Sequence, residues 1–174
     1  MLLLLIRHAH AGDRDPQQWP DDRERPLTDK GRKTQRKVSR RLGKLDLVPT
    51  LVLTSPWTRA RQTAEILVTE LGLRTPAIPC EPLAASPDFS RLADDIGEPG
   101  SGAIVALVGH SPWMEELAAL LLADSTTGLR IDFPKSGVMG IDLAKLEPGA
   151  GELRFFLRPP KRTQKTERTE RAER

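Results

Sequence analysis

A chain of 174 residues, 38% hydrophobic and 29% charged, has the size and composition of one domain with a core of its own. Its single cysteine, Cys80, excludes an intrachain disulfide and a cysteine-rich zinc module, and no apolar run approaches the roughly 20 residues of a membrane span. A cytoplasmic protein with no membrane partner is therefore expected. The net charge of +3 lies wholly in residues 159–174, PPKRTQKTERTERAER, where six Lys and Arg face three Glu. This stretch has no apolar periodicity and reads as a solvated, disordered basic tail behind a domain at 1–158. It has no aromatic residue to stack on bases, so no nucleic-acid partner is expected.

The chain opens MLLLLIRHAHAGD. The short apolar run reads as a buried central strand that ends at Arg7, His8 and His10. Residues 11–27 are polar, contain three prolines and form a long loop of the kind that often carries function. Thr28 is placed as an N-cap, followed by a basic amphipathic helix to about Gly43 with Val38 and Leu42 inward. LVLTSP, residues 51–56, is a second buried strand. Ser55 and Pro56 read as a cap and first helical position, opening a helix that stops at Gly72. A weaker strand is expected at 77–81, a helix at 86–96 and a turn at 99–102. IVALVGHSPW, residues 104–113, repeats the pattern of strand, Ser-Pro and helix, with the helix running to Leu122. Residues 138–143 and 153–157 are the last strands. Alternating strands and helices imply a three-layer α/β/α sandwich on a largely parallel sheet.

In open α/β sheets, ligands bind beyond the carboxyl ends of the strands. Three strand ends here carry basic or imidazole groups: Arg7 and His8, then Arg59 beyond Ser55-Pro56 (with Arg61 expected to face solvent or pair with a carboxylate), then His110. If the strands are parallel neighbours, these groups converge on a cationic pocket that suits a compact dianion such as phosphate. Two helix N-termini add partial positive charge at that edge. Arginine at the first turn of a helix is disfavoured by the helix dipole, so Arg59 asks for an anion. The P-loop pattern is absent, and Glu81 beside Cys80 opposes a thiolate. Histidine remains as the group able to attack phosphorus, through a neutral ring nitrogen.

Four ordered motifs within residues 1–158 resemble the histidine phosphatase superfamily. Ile-Arg-His-Ala at 6–9 resembles its RHG signature. Residues 26–31, PLTDKG, with Gln35, resemble PLTxxGxxQ. Residues 55–64, SPWTRARQTA, resemble SPxxRAxQTA. Residues 108–111, VGHS, resemble the element with its second histidine. FPKSGV at 133–138 is similar to a late segment of the short SixA-type branch, the phosphohistidine phosphatases. The resemblance implies the phosphoglycerate mutase-like fold, with His8 as the phosphorylated nucleophile. Arg7, Arg59 and His110 match its other phosphate-binding residues, and no cofactor or metal is implied. Ala9 stands where the family usually has glycine, which a turn tolerates if its φ stays negative. His10 and Ser111 are candidates for the rim.

A general acid would help an alkoxide leave. Glu81, at the end of the weak third strand, is the candidate, with Asp13 and Glu115 as alternatives. The segment that supplies an acid in larger, alcohol-directed members of the family has no match here. Phosphohistidine needs little help of that kind, and a short chain leaves an open cleft. The expected substrate is therefore phosphohistidine on a protein, with a small phosphomonoester as the alternative. Two other classes stay open. His8-x-His10-x-x-Asp13 resembles the HxH pairs of metal hydrolases, although zinc wants at least three protein ligands and Arg7 repels a cation. A phosphate-binding module without turnover is the other.

Overall fold

The computed structural model describes residues 1–84, 88–98, 100 and 102–160. Among the described residues six strands form one sheet: β1 Leu2–Arg7, β2 Leu51–Thr54, β3 Ile78–Pro79, β4 Ile104–Gly109, β5 Val138–Leu143 and β6 Gly151–Leu157. Their order is β3-β2-β4-β1-β5-β6, with β3, β2, β4 and β1 parallel and β5 and β6 antiparallel. The described residues also form four α-helices: α1 Asp29–Lys44, α2 Thr58–Leu71, α3 Phe89–Ile96 and α4 Trp113–Ala123. Among the described residues no helix is long and apolar enough to cross a membrane.

The opening run is the middle of this sheet. A strand covered on both faces has no polar side to alternate with, so it reads as unbroken apolar sequence. Side chains of β1 nevertheless divide by parity. Leu4 and Ile6 join Val52, Ala106 and Val108 on one face, packed by Val38 and Leu42 of α1 and by Ala60, Ala64 and Leu67 of α2. Leu3 and Leu5 face the opposite layer, where α3 supplies Leu92 and Ile96 and α4 supplies Met114 and Leu117. Each fully buried leucine contributes roughly 1.5–3 kcal/mol of transfer free energy. The three-layer architecture follows from these two cores.

Thr28 caps α1 as expected, its hydroxyl accepting from the Gly31 N–H at 3.1 Å. The start of α1 also holds the chain that leaves β1. The Thr28 N–H donates to the His10 carbonyl at 3.0 Å, and a Cβ on Gly31 would overlap that same carbonyl. Glycine there is therefore a close-approach position, as its motif implies. Ala9 keeps a negative φ. It is buried with Ala11, Leu27 and Ile66, and its N–H donates to the Thr63 hydroxyl at 3.0 Å.

Three expectations change. Helix α2 begins at Thr58 with Trp57 as its N-cap, not at Ser55-Pro56. Likewise Pro112, not Ser111, caps α4. The Ser55 hydroxyl accepts from the Trp57 N–H at 3.3 Å and also meets His110, while the Ser111 hydroxyl donates to Glu115 in the first turn of α4. Strand β3 is two exposed residues and stops before Glu81, which begins a 3-10 turn, Glu81–Leu83. Of the expected helix at 86–96, residues 86 and 87 lie outside the described residues, as do 99 and 101 of the expected turn. The expected disordered tail lies there too, from 161 onward.

Candidate active site

The carboxyl ends of β1, β2 and β4 lie side by side, because β1 and β2 both pair with β4. What the chain places beyond them shares one cleft of about 650 Å³. Arg7 ends β1 and His8 follows it. His110 follows β4, and Arg59 projects from the first turn of α2. All four line the cleft, and His8, Arg59 and His110 are 7%, 5% and 7% exposed.

The hydrogen bonds define what each group can do. His8 Nδ1 lies 2.7 Å from the Ala9 carbonyl oxygen. A carbonyl only accepts, so Nδ1 carries the proton and Nε2 keeps its lone pair. Nε2 in turn accepts from Arg59 Nε at 3.3 Å. Arg7 donates from Nη1 to the Phe133 carbonyl at 2.6 Å. Its buried Nε has no partner among the described residues, nor has His110 Nδ1. The other nitrogen of His110 sits 2.8 Å from the Ser55 hydroxyl. The two imidazole rings are 5.0 Å apart, Trp57 packs on His110 at 4.6 Å, and the Arg59 guanidinium lies over the Trp57 ring at 4.6 Å. Arg59 is fixed from behind by Asp22, through the carboxylate at 3.3 Å and the backbone carbonyl at 2.7 Å. Arg25 binds that carboxylate as well, at 2.8 Å.

Burial, then the neighbouring His110, pushes the His8 pKa down to about 2; Arg59 and Arg7 act in the same sense, against the Ala9 hydrogen bond. Burial and then Arg59 hold His110 at about 3. Both imidazoles are neutral in the folded protein. An unfolded chain protonates them near 6.5, so it binds protons that the folded state refuses. Their contribution to stability is complete above that value and erodes as pH falls toward the folded values. We expect unfolding free energy from urea titration to drop by roughly 2–4 kcal/mol between about pH 7.5 and about pH 5. A flat profile there would mean that the rings charge without unfolding.

Several expected residues fall elsewhere. Glu81 is exposed and does not line the cleft, because the strand meant to carry it there is too short. Glu115 is bound by the Ser111 hydroxyl at 2.6 Å, while Ser111 itself lines the cleft. His10 does not: its Nδ1 accepts from the Gly12 N–H at 3.2 Å and lies 3.0 Å from the Thr28 hydroxyl. His8 and His10 thus serve different surroundings, and among the described residues no three His, Cys, Asp or Glu side chains gather as metal ligands. Arg61 is exposed. Cys80 is buried, and burial raises its pKa to about 12, followed by its hydrogen bond to Asp95; Glu81, the expected cause, is the smallest contributor.

Asp13 lines the cleft as expected, together with Glu116, Arg14, Arg25 and Lys135, which the motifs did not single out. Arg14 and Arg25 lie in the long polar loop and Lys135 in FPKSGV, so their segments were flagged even though the side chains were not.

A buried cationic and imidazole cleft at parallel strand ends defines an enzyme that handles phosphoryl groups, a phosphatase. Residues 3–84 match the histidine phosphatase superfamily (branch 1). An uncharacterized protein of Picosynechococcus sp. is 34% identical over 166 residues, covering 92% of this chain and 98% of that one. The fold is shared with the protein histidine phosphatase SixA solved with tungstate, at a TM-score of 0.76 and 24% identity over 90% of this chain and 96% of that one. It is shared also with a phosphoserine phosphatase of Entamoeba histolytica in complex with phosphoserine, at 0.66 and 15% over 89% and 95%. The chain belongs to the histidine phosphatase superfamily.

Proposed function

We propose that the domain at 1–158 is a cytoplasmic phosphatase that acts through a phosphohistidine intermediate on His8 and removes phosphate from phosphohistidine on a protein. The observation that carries this is the hydrogen bond from His8 Nδ1 to the Ala9 carbonyl, which leaves Nε2 as a neutral nucleophile among Arg7, Arg59 and His110.

In the first step the Nε2 lone pair attacks phosphorus in line with the P–N bond of the substrate. That bond breaks, its electron pair returns to the substrate ring nitrogen, and a ring protonated at the other nitrogen leaves as neutral imidazole. Arg59 gives up its contact with Nε2 and turns its donors to the phosphoryl oxygens. Arg7 Nε and His110 Nδ1, both buried and unpartnered among the described residues, are available as further donors. For His110 this needs the Ser55 hydroxyl to donate to Nε2, so that Nδ1 carries the proton. These donors stand ready where charge shifts in the transition state. In the second step water attacks phosphorus, the P–Nε2 bond breaks, its pair returns to His8, and phosphate departs with the water oxygen.

The leaving imidazole needs no enzyme acid, which suits a cleft that Glu81 does not reach. Asp13 and Glu116 at its lining favour the second reading, a small phosphomonoester whose alkoxide takes a proton from one of them.

A panel decides between the readings: kcat/KM for a phosphohistidine protein, 4-nitrophenyl phosphate and a sugar phosphate, with and without chelator. The phosphohistidine protein should lead by about 10²-fold or more, chelator having no effect. A sugar phosphate faster by orders of magnitude would overturn the protein-substrate reading, and chelator-abolished, zinc-restored activity the histidine mechanism.

A further inference from the structure

We propose that the outer face of α1 is a docking surface for an acidic face of the phosphorylated protein that the cleft serves. The inference rests on the protein-substrate reading above and names the surface that holds such a substrate.

Helix α1 carries eight Lys and Arg against one acidic residue, Asp29, a net +7 in a domain, 1–158, whose charge sums to zero. Eight of its residues are exposed, and seven of those are Lys or Arg. Arg36 and Arg40 share Glu70 of α2, at 3.7 and 2.6 Å. Lys30, Lys33, Lys37, Arg41 and Lys44 have no carboxylate within 4 Å among the described residues. Spacings of three and four residues set these five in one line along the helix, opposite the buried Gln35, Val38, Ser39 and Leu42. The line is about 21 Å long at the rise of an α-helix. Like charges four residues apart recur along it, Lys33 with Lys37 and Lys37 with Arg41, and again beside it, Arg36 with Arg40. Such pairs oppose the helix they sit on. A polyanion laid along the face relieves them all at once.

The line starts next to the active site. The Thr28 N–H, at the head of α1, donates to the carbonyl of His10 at 3.0 Å, two residues past His8, and Gly31 abuts the same carbonyl. Burial, then Lys135 and Lys30, lower the His10 pKa, and Lys135 lines the cleft. A partner that offers a phosphorylated side chain to His8 therefore meets the Lys30 end first, and the other four cations extend from there. Among polyanions a protein fits this face best. Val38 and Leu42 are spent in the core, so the face keeps no apolar side chain to enter a lipid headgroup layer. Helix α1 also has no aromatic residue on which bases could stack. Carboxylates on an acidic protein surface need only the row of cations that is present.

Two phosphohistidine peptides that differ only in a flanking run of Glu or of Gln read the surface as a ratio of kcat/KM for the full chain. At low salt wild type should favour the Glu peptide by roughly tenfold, chiefly through KM, and the preference should fade as salt rises. The triple variant Lys33→Gln, Lys37→Gln, Arg41→Gln keeps good helix formers at exposed positions and should bring the ratio close to one. Lys161→Gln, Arg162→Gln, Lys165→Gln removes equal charge from the tail and should keep it. A wild-type ratio near one overturns the docking surface, as does a ratio that survives the α1 variant or falls equally with the tail variant. A second arm follows the anisotropy of a labelled Glu peptide without phosphate. If neither phosphorylated peptide is hydrolysed, the phosphatase reading falls and this arm judges the surface alone: binding that the α1 variant loses supports it, and no binding overturns it. Tighter retention by phosphatidylserine vesicles or by duplex RNA than by the Glu peptide overturns a protein as the occupant.

Discussion

His8→Ala should lose turnover of every phosphorylated substrate by roughly 10⁴-fold or more, the order seen when a nucleophile is removed, while the protein stays folded. The two parts of this expectation have one cause. The His8 ring is a buried base held neutral against its surroundings, so removing it relieves desolvation and the proximity of His110, and costs mainly its packing. Unfolding by urea at neutral pH should shift little, and the acid destabilisation described above should weaken. Phosphate should still bind, because Arg7, Arg59 and His110 remain. The measurement is single-turnover hydrolysis with a trap for phosphorylated protein: wild type should carry acid-labile, base-stable phosphate during turnover, and the variant none. A variant that keeps substantial turnover, or that still becomes phosphorylated, removes His8 from the role proposed for it.

Arg59→Ala should lower kcat/KM by about 10²–10³-fold, the usual loss for one preorganised donor at a site of developing charge. Arg59 touches both sides of the proposed reaction: its Nε donates to His8 Nε2, and its guanidinium is packed on Trp57. Asp22 keeps its partner Arg25 in the variant, so no carboxylate is stranded and stability should change modestly. Arg59→Lys should recover little, since an ammonium cannot reproduce a planar fork stacked on an indole. If the loss appears wholly in KM with kcat intact, Arg59 binds substrate and transition state equally. If kcat/KM hardly moves, it is a structural residue.

Much of this cleft was legible along the chain because its parts obey local rules. The Thr28 cap and the Gly31 N–H that donates to it lie within one helical turn, and α1 buries Gln35, Val38, Ser39 and Leu42 at helical spacing. Strand β5 spans Val138–Leu143 as expected. The local rules misled where a side chain found a distant partner. Serine before proline is a sound helix start in isolation, but the Ser55 hydroxyl, besides accepting from the Trp57 N–H, meets His110, 55 residues away. Glu81 looked like the end of a strand, yet only two residues pair there, and the carboxylates that do line the cleft are Asp13 and Glu116.

The sequence by itself determined most of the elements and what stands near strand ends: a short apolar run that reads as a doubly covered strand, Arg7 at its end with His8 following, and Arg59 and His110 beyond the next two. Such properties depend on neighbours a few residues apart. Tertiary structure alone decided how those groups act together. The pairing of β1 and β2 with β4 sets the ends side by side, Phe133 reaches Arg7 across 126 residues, and Arg59 reaches His8 across 51. The neutral state of both imidazoles comes from that assembly, because burial and the sum of surrounding charges exist only once the layers have closed.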